Sequence, residues 1–325
     1  MSGEGDGRKR SWLAPLTRVA VSVALLALVV SRAGWAALWS TIASADIRWL
    51  AAAAALAVAG IGVRAYRWGI LLAAVGTPVP LGRLIRLYLV GTFFSDFLPT
   101  GVGGDVVRAL EVRADTGSLA TATATVLADR AAGLLALFLM GSLALPFGRD
   151  LVSGPVAGLL LALTVAGWGG SALLLRRELL TRLGLVRLLD RVTPAAELYR
   201  ALNAFGARVL MRAVAVSAGL NVLLMVMNYW VGIALGIKIS FWSYVLFVPL
   251  ISFLLVLPVS VSGWGVREGG YVYLLAQPGV PALLALALSM LVQSFQLGLG
   301  LIGAVLYAWQ GVRGLAQADG RQQGQ

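Results

Sequence analysis

The 325-residue chain contains no cysteine and no histidine. It therefore has no thiolate nucleophile, no imidazole general base, no cysteine–histidine zinc site and no axial histidine for haem. It also has no Walker-type Gly-x-x-x-x-Gly-Lys loop and no Asp-Asp or Asp-x-Asp pair. Such motifs are the usual signs of nucleotide coupling and of metal-assisted transfer. Much enzyme chemistry is thereby excluded, and the sequence predicts no cofactor and no bound metal.

Charge is also scarce. Charged residues form only 12% of the chain, hydrophobic residues form 59%, and the mean hydropathy is +0.88. Because so few polar residues cannot cover a soluble globule of this length, the chain is an integral membrane protein. The net charge of +12 does not indicate nucleic-acid binding, because the basic residues lie mostly at the ends of apolar segments. There they face anionic lipid and set orientation, so we expect membrane lipids as partners and no nucleic acid.

Six apolar segments approach the roughly 20 residues that a helix needs to cross a bilayer. Two further apolar segments, 84–113 and 243–277, each contain a Leu-Pro step near the centre. Because lysine and arginine gather in cytoplasmic loops, the charge placement favours both as re-entrant hairpins. The sequence thus predicts an all-α polytopic membrane protein with both termini in the cytoplasm, and it places Arg64 and Arg67 in a cytoplasmic loop. The predicted spans are 13–31, 47–66, 119–145, 152–175, 209–236 and 282–309.

The two Leu-Pro steps belong to similar segments. Pro99 and Pro258 each follow a leucine that stands nine residues before a Val-Arg pair, with small residues between. Proline frees backbone groups that hydrocarbon cannot satisfy, so each segment must be buried in protein or line a wet cavity. Residues 47–145 and 209–309 then form an inverted repeat, the arrangement in which transporters bring broken helices together near the midplane. Coincidence between two kinks is the alternative.

The remaining segments complete a single transmembrane domain of residues 13–313. Residues 176–208 are predicted to form a cytoplasmic amphipathic linker helix, with a plain solvated linker as the alternative. The tails, 1–12 and 314–325, are predicted to be disordered. The apolar residues of 35–42 recur at helical spacing, which predicts a short interfacial helix. They are Trp35, Leu38, Trp39 and Ile42.

Charged residues inside the apolar segments are the candidate site. Each costs about 2.5–3.5 kcal/mol on insertion scales, so such residues are retained where they pair or function. Asp129 and Arg130 are adjacent on one helix and point about 100° apart, so each must find its partner in the hairpins. Glycine-rich turns allow backbone N–H groups to approach an anion. The candidate substrate-binding residues are Arg108, Arg130, Arg267, Asp105, Asp129, Glu268, Gly103, Gly104, Gly263 and Gly265, with Pro99 and Pro258 as helix breakers.

These residues suit a phosphate headgroup, which the arginines would bind as planar forks while the acids orient them. One of the acids would exchange a proton during the cycle. No catalytic residue is assigned. The alternative is that the six charges form structural ion pairs that hold the hairpins. Among weaker candidates, Ser95 and Asp96 precede the first proline, and their side chains are candidate partners for the freed backbone groups. Gln293 and Gln296 share a helix face on which interhelical hydrogen bonding is favoured over substrate contact.

Three motifs in this order resemble a known family. They are Phe94 through Arg108, Asp129-Arg130 with Gly133-Leu134, and Pro258 through Gly269. The chain resembles, from about 15 to 310, the flippase-like transmembrane domain of bacterial lysylphosphatidylglycerol synthases and their stand-alone relatives. The resemblance implies a bacterial cytoplasmic membrane protein that moves aminoacylated phosphatidylglycerol to the outer leaflet. In the two-domain synthases a soluble domain makes that lipid from aminoacyl-tRNA, and stand-alone members handle other lipids, including polyprenyl-phosphate-linked sugars.

The chain departs from the family pattern in two respects. Ser95 and Asp96 stand where the family usually carries asparagine, and no segment corresponds to the soluble aminoacyltransferase domain, so we do not expect synthase activity. The sequence predicts a translocator of an anionic or phosphate-containing lipid, with a separate synthase or glycosyltransferase as a candidate partner. Two alternatives stay open: a membrane-embedded transferase acting on lipid-linked substrates, and a regulatory subunit that recruits a synthase through residues 176–208.

Overall fold

The computed structural model describes residues 34–98, 103–144, 205–256 and 262–322, with isolated positions between them. Within these ranges the secondary structure is helical and contains no strand. The helices are α1 (Trp35–Ala43), α2 (Ile47–Ala74), α3 (Leu81–Phe97), α4 (Gly103–Thr116), α5 (Leu119–Ala144), α6 (Ala207–Ala234), α7 (Phe241–Val256), α8 (Val266–Ala276) and α9 (Ala282–Gln322).

Several predicted features lie outside the described residues. They are the first tail, the span 13–31, most of the span 152–175, nearly all of the linker 176–208, and the two prolines Pro99 and Pro258.

Four of the described helices are long and apolar enough to cross a membrane: α2, α5, α6 and the first 29 residues of α9. They confirm four of the six predicted spans. α2 continues to Ala74, beyond the predicted end at 66, so the interpretation of Arg64 and Arg67 as loop residues is wrong. The prediction ended this span at 66 because arginines are costly inside a membrane. In the structure, however, Arg67 is only 6% exposed, because a buried carboxylate neutralises it. At the other end of the chain, α9 continues to Gln322, although a disordered tail was predicted from 314.

The same order of helices occurs twice: a long helix, two short helices and a second long helix. We call these two sets the first unit, α2 to α5, and the second unit, α6 to α9. Both ends of α2 and the start of α3 recur in α6 and α7 at one constant offset along the chain, which pairs position 47 with 207, 74 with 234 and 81 with 241. We call positions related by this offset equivalent.

The turns after the two long helices are alike as well. Gly76 and Gly236, which are equivalent, follow α2 and α6 with φ of 79° and 72°. In each case the next residue donates to the carbonyl five positions back. Both helices therefore end in the same Schellman motif, in which glycine takes the left-handed conformation.

The two units are packed into each other. α2 runs along α6, while each short helix α3 and α7 packs against the last long helix of the other unit, α9 and α5 respectively. Apolar residues of α6 to α9 form the largest buried cluster, and α1 adds Leu38 to it while Trp35 and Trp39 stay exposed. The predicted short helix at 35–42 is thus confirmed as a helix, in which Leu38 is the buried residue.

Candidate functional site

Asp129 of α5 is the centre of a buried ion-pair cluster and is only 1% exposed. Its Oδ1 accepts from Arg67 Nε at 2.6 Å, and its Oδ2 accepts from Arg108 Nη2 at 3.0 Å and from the Tyr88 hydroxyl. Arg67 Nη1 also donates to Ser217 Oγ of α6 at 2.8 Å. One carboxylate therefore ties together helices α2 to α5 and, through Arg67, α6. The prediction that Asp129 finds its partner in the hairpins is confirmed for Arg108 of α4, whereas Arg67 belongs to the long helix α2.

Arg108 has few donors left for any other partner. Its guanidinium lies 4.2 Å from the Trp68 ring centroid and 3.8 Å from that of Tyr88, so it is in contact with both aromatic rings. Beyond Asp129, Arg108 Nη1 reaches Asp105 Oδ1 at 3.4 Å. The side chain is buried, and its position indicates that it holds the cluster together.

Glycines allow this cluster to form. A Cβ added to Gly104 would overlap the Gly91 carbonyl oxygen, and one added to Gly91 would lie 2.9 Å from Arg108 Cδ. Gly103 is similarly close to the side chain of Leu98. Gly103 and Gly104, predicted as part of an anion-binding turn, thus belong to α4 and let it approach α3 closely.

Arg130 forms an ion pair with Asp105 of α4, which agrees with the prediction that Arg130 finds its partner in the hairpins. The Arg130 side chain is 45% exposed, so this pair lies at the edge of the cluster. Both residues line a cavity of about 270 Å³, together with Arg108, Asp129 and Gly104. We call it the Asp129 cavity.

The second predicted hairpin contains α7 and α8, and its charged residues have different partners from those of the first. Gly263 and Gly265 both have φ of +81°, which favours glycine. Glu268 is fully buried, and its Oε2 accepts the Gly265 N–H at 2.6 Å, so it caps α8. Arg267 Nη2 donates to the Ser262 carbonyl at 3.3 Å, while Arg267 Nη1 is buried with no hydrogen-bond partner in the described structure.

The two predicted hairpins, which contain α3 with α4 and α7 with α8, are in contact at Ser262. Its hydroxyl lies 2.8 Å from the carbonyl oxygen of Ser95 and 3.0 Å from that of Asp96. These carbonyls belong to the last turn of α3, where no further helical turn follows to supply N–H donors. The sequence had proposed the Ser95 and Asp96 side chains as partners for freed backbone, whereas the structure shows their own carbonyls bound by the other hairpin.

A second cavity of about 300 Å³, the central cavity, lies between the two units. Its charged lining residues are Arg64 and Arg267, and no carboxylate lines it. Arg64 has no hydrogen bond or ion pair with the residues that the structure describes, so its donors face open space. The other lining residues are mostly apolar, and the uncharged polar ones are Thr92, Asn228, Ser252, Tyr271, Gln293 and Gln296.

Residues at equivalent positions of the two units line the central cavity. Thr92 and Ser252 are equivalent positions, and each hydroxyl donates to the carbonyl four residues earlier, at 2.9 and 2.8 Å. Arg64 and Leu224 are also equivalent, and both line the cavity. Matching positions of the two units therefore face the same space. Arg64, Thr92 and Gln296 also line the Asp129 cavity, so the two cavities adjoin there.

Arg64, Arg67 and Tyr88 are contributors that the sequence analysis did not select, and Gln296, a weaker candidate there, forms the expected interhelical hydrogen bond, to Asp96. The positions 64 and 67 are one turn apart and follow an apolar run without interruption by proline or by a turn before Gly76. That spacing was the available signal that α2 carries both arginines inward. Among the described residues, no group of three aspartates or glutamates is placed to hold a metal ion.

Comparison with known proteins agrees with this architecture. Neither the comparison with curated proteins nor that with solved structures gives a match. The family described as the lysylphosphatidylglycerol synthase TM region matches residues 16–304. That range includes the lining residues of both cavities and all of the two units except the end of α9. The chain is a multi-pass membrane protein that belongs to the lysylphosphatidylglycerol synthase TM region family.

Proposed function

We propose that this protein moves a phosphate-containing lipid between the leaflets of a bacterial cytoplasmic membrane. The headgroup enters the central cavity while the acyl or polyprenyl chains remain in hydrocarbon. One observation carries the proposal: Arg64 and Arg267 line this cavity, neither forms an ion pair within 4 Å with a described carboxylate, and no carboxylate belongs to the lining. A guanidinium binds phosphate oxygens through two parallel N–H donors, and such bonds strengthen away from water.

The neighbouring cluster supplies a rigid frame. Arg67 and Arg108 are committed to Asp129, so we assign them to holding α2 to α5 in place, with Asp105, Asp129 and Gly104 in the same role. Their positive charge still acts on Arg64, which raises the attraction of the adjoining space for an anion. Arg130, at the exposed edge, would meet the headgroup before it reaches Arg64.

The repeat supplies the movement. The helices α3, α4, α7 and α8 have 17, 14, 16 and 11 residues, each below the roughly 20 needed to cross a bilayer. This supports two re-entrant hairpins, and with both termini in the cytoplasm the two units have opposite orientations. Exchange of conformation between inverted units opens a central site alternately to each side. The hairpin contact at Ser262 lies where such a movement must break and re-form bonds.

Leaflet exchange in proteoliposomes tests the proposal. Purified protein is reconstituted with fluorescent phosphatidylglycerol, and dithionite quenching reports how fast the inner-leaflet probe becomes accessible. We expect the wild type to accelerate exchange. Arg64→Gln and Arg267→Gln should each lower the rate of exchange by at least about tenfold, since one charged hydrogen bond contributes about 1.5–3 kcal/mol. Arg83→Gln is the matched control because Arg83 pairs with Asp115 and its side chain is 36% exposed.

The proposal fails if both cavity variants fold normally and exchange the probe as fast as the wild type. A fluorescent lipid with a neutral headgroup serves as the substrate control. Exchange of a polyprenyl phosphate but not of phosphatidylglycerol would keep the site and change the lipid. Absence of exchange with every phosphate lipid, in folded protein, would favour the transferase or regulatory alternatives.

A further inference from the structure

Asp96 is a buried carboxyl that the proposed mechanism does not use. It lies in the last turn of α3 and is 7% exposed. Oδ1 accepts from Gln296 Nε2 of α9 at 3.1 Å. Oδ2 is buried and has no hydrogen-bond partner in the described structure. A Cβ built at Gly300 would lie 3.1 Å from this oxygen, so the backbone of α9 closes over it.

Its electrostatic surroundings do not suit a negative charge. The other acids near the cavities are compensated: Asp129 and Asp105 by arginines, and Glu268 by the N-terminal turn of α8. Whereas Glu268 lies at a helix N-terminus, Asp96 lies at a helix C-terminus, where the macrodipole disfavours an anion. No cation of the described residues lies within 4 Å of it, and a buried carboxylate without a partner is better neutralised by a proton.

The charged groups that act on Asp96 come from two neighbours. They are Arg64 of α2 and Arg267 of the second hairpin, while α9 contributes only the uncharged Gln296. Arg64 and Arg267 are also the two arginines of the central cavity. An anion bound between them screens the positive charge that favours ionised Asp96. Anion binding and proton binding therefore assist each other.

We propose that Asp96 is a proton-binding site linked to the anion site, so that a phosphate headgroup and one proton bind together. The step is simple: the carboxylate of Asp96 takes one proton from water, and the anion occupies the donors of Arg64 and Arg267. The net charge inside the protein is unchanged, which lowers the cost of moving the loaded site through hydrocarbon. This inference rests on the proposed anion site and adds proton coupling to it.

Binding of dimethyl phosphate to detergent-purified, full-length protein tests the linkage. This phosphodiester mimics a headgroup, and its single negative charge is constant from about pH 5 to about pH 8. We expect wild-type affinity to be about fivefold higher or more at the acidic end, the lower limit of typical coupling between two sites. Binding should also take up protons from a weak buffer and strengthen the infrared band of a protonated carboxyl.

Asp96→Asn is the deciding variant because asparagine has the shape of the protonated acid and can still accept from Gln296. We expect it to bind dimethyl phosphate at all pH values as the wild type does at the acidic end, with no proton uptake and no carboxyl band. Asp115→Asn is the matched control, since Asp115 pairs with Arg83 at the far end of α4, and it should behave as wild type. If Asp96→Asn fails to fold, aspartate labelled with carbon-13 shows whether the wild-type band belongs to an aspartate.

Three results would overturn the inference: binding of dimethyl phosphate without pH dependence or proton uptake, proton uptake that persists in Asp96→Asn, or no binding at all. Leaflet exchange on the same preparations separates the two proposals. Exchange that does not depend on pH removes only the proton coupling. Coupled binding of anion and proton without any exchange removes only translocation.

Discussion

The two units repeat one order of helices but use their buried charges in different ways. In the first, the carboxylate of Asp129 binds Arg67, Arg108 and Tyr88. In the second, Arg267 donates only to a backbone carbonyl and Glu268 accepts only a backbone N–H, and each keeps a buried atom without a hydrogen-bond partner in the described structure. An arginine whose donors a carboxylate occupies holds helices together, whereas one with donors left over can bind an anion.

The equivalent positions explain the difference. In the second unit, Met227 takes the place of Arg67 and Val248 takes the place of Tyr88. Both replacements are apolar, and both belong to the largest buried cluster. The second unit therefore has no cation on its long helix and no phenol on its short helix at the places where the first unit neutralises Asp129. Its interior is held by apolar packing, so its charges remain near the cavity that both units line.

The largest effect should follow from removing the centre of the first unit's cluster. Asp129→Asn leaves Arg67 buried without a carboxylate partner and Arg108 with only its longer contact to Asp105, and breaking a buried pair in this way costs about 3–5 kcal/mol. We expect a large loss of folded protein and a much lower Tm, measured by fluorescence-detected size exclusion after heating. Asp115→Asn, which breaks a partly exposed pair, should cost about 1 kcal/mol or less. Equal stability of the two variants would show that the cluster does not hold the first unit.

Moving one arginine between equivalent positions tests whether the units share the cavity. Arg64→Leu should lower leaflet exchange by at least about tenfold, the loss of one charged hydrogen bond. Leu224→Arg in that background places the charge at the equivalent position of the second unit, which lines the same cavity. We expect partial recovery of exchange. Recovery equal to that from an arginine placed outside the cavity, as in Val222→Arg, would argue against a shared site.

The sequence predicted the apolar spans because hydropathy over about 20 residues reflects the membrane directly. It also predicted that Asp129 and Arg130 find partners in the hairpins, since adjacent helical residues diverge. It did not predict Arg64 and Arg67 inside the fold, because the burial of Arg67 depends on Asp129, which is 62 residues away in the chain. Nor did it predict that the glycines at 103 and 104 serve helix packing, because only the fold places the Gly91 carbonyl opposite them.

Gly104→Ala should have a moderate effect confined to the first unit. The new Cβ would overlap the Gly91 carbonyl, so α4 must move away from α3 and draw Arg108 off its aromatic rings. Overpacking of this kind costs about 1–3 kcal/mol. Gly82→Ala on α3 is the control, because a Cβ there meets no atom within 4 Å and alanine favours the helix. A Gly104→Ala protein as stable as Gly82→Ala would mean that the close approach of α3 and α4 carries no energy.

The smallest effect on stability should come from the contact between the units. Two substitutions at Ser262 distinguish the contribution of its hydrogen bonds from that of its backbone strain. Both Ser262→Ala and Ser262→Gly remove the hydroxyl that binds the carbonyls of Ser95 and Asp96, a loss of about 0.5–1.5 kcal/mol. Ser262 has φ of 50°, which alanine retains and glycine tolerates without the strain of about 1–2 kcal/mol. The glycine variant should therefore have the higher Tm. If the hydroxyl latches the hairpins together, leaflet exchange changes equally in both variants despite their different stabilities. If exchange instead follows Tm, backbone strain in the turn matters and the hydrogen bond does not.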